Sequence, residues 1–155
     1  PFMEAIPVPL VIEPVLVDVP KSTRVAKERQ KPLFNDMPDS KTYTGGCHCG
    51  QVRFECTSDL AMVTACNCSI CTKKGLHFTF LDPKSFQLRA GEENLKEYLF
   101  NKHAIRHQLC VDCGVDVFAR GKKPDGSDVV ALNVSCIDGI ELSKLKMTPV
   151  DGRSM

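Results

Sequence analysis

Seven of the nine cysteines of this chain fall into three tight groups: Cys47 with Cys49, then Cys66, Cys68 and Cys71, then Cys110 with Cys113. This spacing constrains the fold more than any other feature, because so many thiols in close C-x-C and C-x-x-C groupings call for a disulfide framework or a metal. A disulfide framework suits a small secreted domain, but the count here is odd. The apolar start, residues 6–19, lacks a basic leading region and is broken by Pro7, Pro9 and Pro14, so it would serve poorly as a secretion signal. Reduced thiols that hold metal, in a cytoplasmic protein, are the better expectation.

The first constellation joins Cys47-His48-Cys49-Gly50 to Cys110-Val111-Asp112-Cys113-Gly114. In an extended C-x-C both side chains share one face, because strand side chains alternate. In C-x-x-C a tight turn brings two sulfurs to one point, and a following glycine supplies the positive φ such a turn often needs. Two pairs give four thiolates, the tetrahedral soft set of a closed structural zinc site. Metal binding of this kind contributes about 10–16 kcal/mol in small zinc peptides, above the usual net stability of a domain. An iron–sulfur cluster could use the same four ligands, and buried free cysteines are the plainer alternative. His48 sits between two ligands and is expected to point away from them.

The run Cys66-Asn67-Cys68-Ser69-Ile70-Cys71 packs three thiols into six residues. Three protein ligands with an open fourth position is the pattern of catalytic zinc. A site of three thiolates is negatively charged, so it acidifies water weakly and accepts another soft thiolate readily; a substrate thiol is the natural fourth ligand. Three alternatives stay open here. Cys56 or Cys136 could complete a second closed site, two of the three thiols could pair as a disulfide, or Cys66 could belong to the core.

Composition shifts near residue 41, with seven of the ten prolines before it. Residues 1–41 therefore read as a proline-rich extension and residues 42–155 as the zinc domain. The five basic residues against one acidic in residues 21–31 offer the only candidate for a partner-binding arm. Net charge is +1, which gives no reason to expect nucleic acid or an anionic membrane as partner. No apolar stretch reaches the roughly eighteen residues a membrane span needs. From residue 42 the texture is short alternating runs between turn signals. Strands are predicted at 51–56, 61–66, 77–81, 86–89, 95–100, 105–109, 116–119 and 129–134. Turns are predicted at Gly45-Gly46, Asp82-Pro83, Gly91, Pro124-Asp125-Gly126 and Asp138-Gly139, and helical turns only at 69–74 and 142–145.

Taken in order, these residues resemble the glutathione-dependent formaldehyde-activating enzyme family, whose domain is shared with centromere protein V. The matching elements are Gly46-Cys47-His48-Cys49-Gly50-Gln51-Val52-Arg53-Phe54, the three-cysteine run with Lys73-Lys74-Gly75, and Arg106-His107 before Cys110-Val111-Asp112-Cys113-Gly114. Phe118, Arg120 and the late Asn133-Val134-Ser135-Cys136-Ile137-Asp138-Gly139 extend them. The resemblance implies a mostly-β chain: a β-tent of stacked antiparallel sheets with a structural zinc on Cys47, Cys49, Cys110 and Cys113. It also implies a second, catalytic zinc on Cys66, Cys68 and Cys71, and carbon–sulfur chemistry such as forming S-hydroxymethylglutathione from glutathione and formaldehyde. Glutathione carries two carboxylates, so Lys73, Lys74, Arg106 and Arg120 are candidate cationic contacts and Asn67 a candidate hydrogen-bond donor. His103 and His107 are expected in surface or packing roles, and Tyr98 is a weak candidate proton donor. A lyase for another thiol adduct, or a zinc-stabilised interaction module without catalysis, are the competing readings.

Overall fold

The computed structural model describes residues 40–155. The proline-rich extension expected over residues 1–41 lies, up to residue 39, outside the described residues. Among these the order is β1 (Lys41–Gly46), β2 (Arg53–Ser58), β3 (Val63–Cys66), α1 (Ser69–Lys74), β4 (His77–Leu81) and β5 (Phe86–Ala90). It continues with β6 (Leu95–Tyr98), β7 (Arg106–Cys110), β8 (Asp116–Lys122), β9 (Asp128–Asn133) and β10 (Met147–Val150), with 3-10 turns between several of them. The chain is mostly β.

Strands β1-β2-β5 form one antiparallel sheet, and the other seven form a second in the order β10-β3-β4-β9-β8-β7-β6. The expectation of purely antiparallel sheets needs correcting, because β10 runs parallel to β3, from Met147 opposite Val63 to Val150 opposite Cys66. β10 occupies the edge of β3 that β4 leaves open, and an edge is where Pro149 costs no ladder bond. Gly45 and Gly46, expected as a turn, instead end β1 opposite Phe54 and Arg53. Their glycine identity reflects close approach: a Cβ on Gly45 would collide with the Phe54 ring and the Cys136 carbonyl oxygen.

Burial explains the strands. β2 alternates and turns Phe54, Cys56 and Ser58 inward. β8, in the interior of the larger sheet, buries Asp116, Val117, Phe118 and Ala119 in succession, as a strand covered on both faces does. The rings of Phe54, Phe86 and Phe118 follow one another at 5.6 and 4.7 Å and tie the two sheets into one core. Burying each phenyl contributes about 1.5–3 kcal/mol, so this trio is a main anchor between the sheets. Cys56 and Cys136 lie in the same core, and burial pushes their thiols up to about 11 and about 12. A second, smaller cluster of Ile70, Cys71, Leu76 and Phe78 seats α1. Gly75 caps that helix in the left-handed region, which turns the chain directly into β4.

Candidate metal centre

The first group sits at the tips of two hairpins. β1 and β2 are joined by residues 47–52, where the Cys47 N–H donates to the Val52 carbonyl (3.0 Å) and the Gly50 N–H to the Cys47 carbonyl (3.3 Å). The β7–β8 turn repeats this pattern: Cys110 N–H to Val115 carbonyl at 3.0 Å and Gly114 N–H to Cys110 carbonyl at 2.9 Å. Both glycines have positive φ, +83° at Gly50 and +72° at Gly114. Cys47 to Gly50 is thus a folded turn rather than an extended C-x-C, and it presents its two sulfurs as the C-x-x-C turn does.

The four sulfurs of Cys47, Cys49, Cys110 and Cys113 all lie within 4.8 Å of one another. Sγ of Cys47 is 3.4 Å from Sγ of Cys49, which is 3.6 Å from Sγ of Cys110. A tetrahedron of sulfurs at about 2.3 Å from a zinc ion has edges of about 3.8 Å, so this donor set fits such an ion. The backbone already favours thiolate here: the Val52 N–H donates to Cys47 Sγ at 3.2 Å. Burial would raise Cys113, but N–H groups of Val115 and Cys49 overcome it and hold that thiol down to about 6. Burial likewise opposes the lowering of Cys47, and the Val52 N–H again prevails. At Cys49 the Gln51 N–H lowers the pKa, yet desolvation and the neighbouring sulfurs push it up to about 12. Thiolates crowded this closely repel, and a divalent cation among them removes the conflict.

The second group gathers Cys66 from the end of β3, Cys68 at the N-cap of α1 and Cys71 from its first turn, again with sulfurs within 4.8 Å. The Cys68 N–H donates to Cys66 Sγ at 3.4 Å. Despite burial, the N–H groups of Cys71 and Ile70 and the flanking thiols lower Cys68, while burial and the Cys68 charge raise Cys71. Among the described residues no fourth side chain joins this group, and no histidine joins either. Cys56 and Cys136 stand apart in the main core, which removes the alternative of a second closed site, and all nine cysteines are free thiols.

A profile of the glutathione-dependent formaldehyde-activating enzyme family matches residues 42–150. The chain belongs to this family. Among solved structures it is similar to the crystal structure of a Rhodobacter sphaeroides protein, at 26% identity and a TM-score of 0.60, over 68% of this chain and 97% of that one.

Around the cysteines of this formaldehyde-activating family member, the predicted contacts separate. Lys73 and Cys68 line one cavity of about 460 Å³, together with Ser69, Thr72, Phe100 and Arg153. Lys73 also lines the adjoining cavity of about 610 Å³ with Lys74, Lys96, Tyr98 and Phe100. Lys74 reaches 3.6 Å from Asp116, whose fully buried carboxylate also bonds His107 Nδ1 at 3.1 Å. His107 is therefore a packed core histidine, its ring tilted against those of Phe78 and Phe100, while His103 is exposed. Arg106 pairs with Glu97 at 3.7 Å and, with Arg120, lines other cavities, away from the three-cysteine group. Asn67 does not face the cavity as a free donor: its amide nitrogen bonds Asp151 at 2.7 Å and its amide oxygen accepts the Arg153 N–H at 2.9 Å.

Sequence reasoning missed Asp116, Gly152 and Arg153. A carboxylate inside the apolar run Val115-Asp116-Val117-Phe118-Ala119 was the available signal for the first. Gly152 and Arg153 carried none beyond the turn-like Asp151-Gly152, because their role is set by the unexpected strand β10. No helix among the described residues is long and apolar enough to cross a membrane.

Proposed function

We propose that this chain is a zinc-dependent carbon–sulfur lyase or synthase acting on a thiol adduct, as in the formation of S-hydroxymethylglutathione from glutathione and formaldehyde. The observation that carries the reading is the inequality of the two cysteine groups. Four sulfurs gather in one, three in the other, and the group of three opens on a cavity through Cys68. On this reading Cys47, Cys49, Cys110 and Cys113 hold a structural zinc within a β-tent. Cys66, Cys68 and Cys71 hold a catalytic zinc, in a protein of the reducing cytoplasm. Zinc bound there would supply Lewis acidity and a coordination position suited to a substrate sulfur.

The chain's own residues do the rest. Against burial, the Cys71 and Ile70 N–H groups and the flanking thiols lower the Cys68 pKa, which favours its thiolate form. Lys73 lines the same cavity, and its positive charge favours the thiolate of an entering thiol over its neutral form. Phe100 covers one wall with apolar surface, which restricts water around the reacting carbon. In the synthetic direction the C–S bond forms as the aldehyde C=O π bond opens, and the proton lost from the thiol ends on the new hydroxyl. Tyr98 lines the adjoining cavity with Lys73 and is the phenol assigned to that transfer. Of the glutathione contacts expected from sequence, Lys73 keeps that role. Lys74 serves to fix α1 through Asp116, Asn67 positions the segment after β10, and Arg106 stands outside the reaction cavity.

The test combines metal analysis with thiol titration. Two zinc ions per chain, and a glutathione-dependent change in the spectrum of cobalt-substituted protein that Cys68→Ser abolishes, are expected. Catalysis itself is read as adduct formation faster than the uncatalysed addition of the same thiol. One zinc per chain and no thiol effect would instead make this a zinc-stabilised interaction module.

A further inference from the structure

The two cationic groups beside the three-cysteine site are Lys73 and Arg153, and the structure treats them differently from their neighbours. Lys74 and Arg106 each face a carboxylate, Asp116 and Glu97. Among the described residues neither Lys73 nor Arg153 forms an ion pair, and no acidic side chain lines the cavity they share. The nearest acid in sequence, Asp151, is already engaged at both oxygens. Asn67 Nδ2 donates to Oδ1 at 2.7 Å and Ser154 Oγ to Oδ2 at 2.6 Å.

Arg153 is also held in place by the metal-binding loop itself. The Asn67 N–H donates to the Val150 carbonyl at 3.1 Å, and the Arg153 N–H donates back to Asn67 Oδ1 at 2.9 Å. Between these bonds Gly152 lies so close that a Cβ there would strike Cys66 Sγ. The backbone of Arg153 is thus fastened to the residue between two candidate ligands, while its side chain is exposed. A fixed backbone beneath an unpaired guanidinium, in a cavity lined by Cys68 and by no acidic side chain, is the arrangement of an anion site. A guanidinium binds a carboxylate by two parallel hydrogen bonds, and a fastened backbone reduces the freedom lost on binding.

We propose that Arg153, with Lys73, is a carboxylate clamp that selects thiols bearing a carboxylate for the three-cysteine site. The inference rests on the thiol-binding function proposed above and names the residue that sets its specificity. Calorimetric titration of the zinc-loaded protein with glutathione, and separately with 2-mercaptoethanol, which has no carboxylate, tests it. Zinc content is measured for every variant. Arg153→Ala should weaken glutathione binding by about tenfold or more, the loss expected of a hydrogen bond to a charged group. It should leave 2-mercaptoethanol within about twofold, and Arg153→Lys should restore part of the glutathione affinity. Glutathione binding unchanged in Arg153→Ala, with thiols still bound, would overturn the clamp and leave the proposed function standing. Equal loss of both thiols would also overturn it, since Arg153 would then act by shaping the site. Failure of the unaltered protein to bind either thiol would overturn both readings.

Discussion

Replacing Gly152 with alanine isolates the second metal site from the rest of the fold. The added methyl would strike Cys66 Sγ and lie 3.3 Å from Cys68 Cβ. Gly152 does not have a positive φ, so alanine meets no backbone strain and the effect is steric alone. Two responses are open, and both weaken the site: Cys66 rotates its sulfur out of the group, or the segment lifts and breaks its bonds to Asn67. Overpacking of this kind costs about 1–3 kcal/mol, which corresponds to about 5- to 150-fold in affinity for the second zinc. Competition against a chromophoric chelator reads that affinity, and the first zinc serves as internal control. The melting temperature should move little, because Gly152 touches none of the Phe54, Phe86 and Phe118 anchor. Second-site affinity within twofold of the unaltered protein would refute the argument, as would loss of both ions together.

The cysteine groups should differ sharply under substitution. Cys110→Ser is expected to unfold the domain, since on the proposed reading it helps hold an ion worth about 10–16 kcal/mol against a domain stability of about 5–15 kcal/mol; circular dichroism reads this. Cys68→Ser should lose one zinc and keep a native spectrum, and identical unfolding of both variants would show the division to be wrong. Asp116→Ala leaves His107 and Lys74 facing a buried void and should cost about 3–5 kcal/mol by denaturant titration, with Asp116→Asn costing less. Acid should weaken the fold at the four-cysteine cage through Cys113. Cys113 is held from 9.0 down to about 6, so its contribution is full above 9.0 and is lost as pH falls through about 6. Thermal stability that does not fall between pH 9.0 and about 6 would contradict that sign.

The sequence was most legible where local chemistry and tertiary demand agreed. Residues 69–74 and 77–81 have the bounds read from them, because cysteine spacing, Gly75 and the alternation of His77–Leu81 point the same way. The grouping of sulfurs into four and three was legible for a similar reason: few arrangements satisfy seven thiols at those intervals. β1 was hidden by Gly45-Gly46, whose glycines answer to close neighbours, the Phe54 ring at Gly45 and the Val52 carbonyl and Arg53 side chain at Gly46, rather than to a turn. β10 was hidden by Pro149, which is disfavoured in a strand except at an edge, and only the assembled sheet shows that edge. Arg153, fastened to Asn67 after β10, was hidden with that strand. Asn67 and Arg106 have the right chemistry for a ligand contact, but Asp151 is distant from Asn67 in sequence and Glu97 meets Arg106 only through the β6–β7 pairing.

The parallel ladder between β3 and β10 also imposes an order of events on a chain emerging from a ribosome. The four-sulfur cage has all its members once residue 113 is outside, whereas the wall of the three-sulfur mouth arrives only with residues 150–153. A nascent chain halted once β9 has emerged would hold every strand of the larger sheet except β10, beside three thiols without the wall that residues 150–153 supply. The wall of the three-cysteine group is therefore completed after the strands of the hydrophobic centre have emerged.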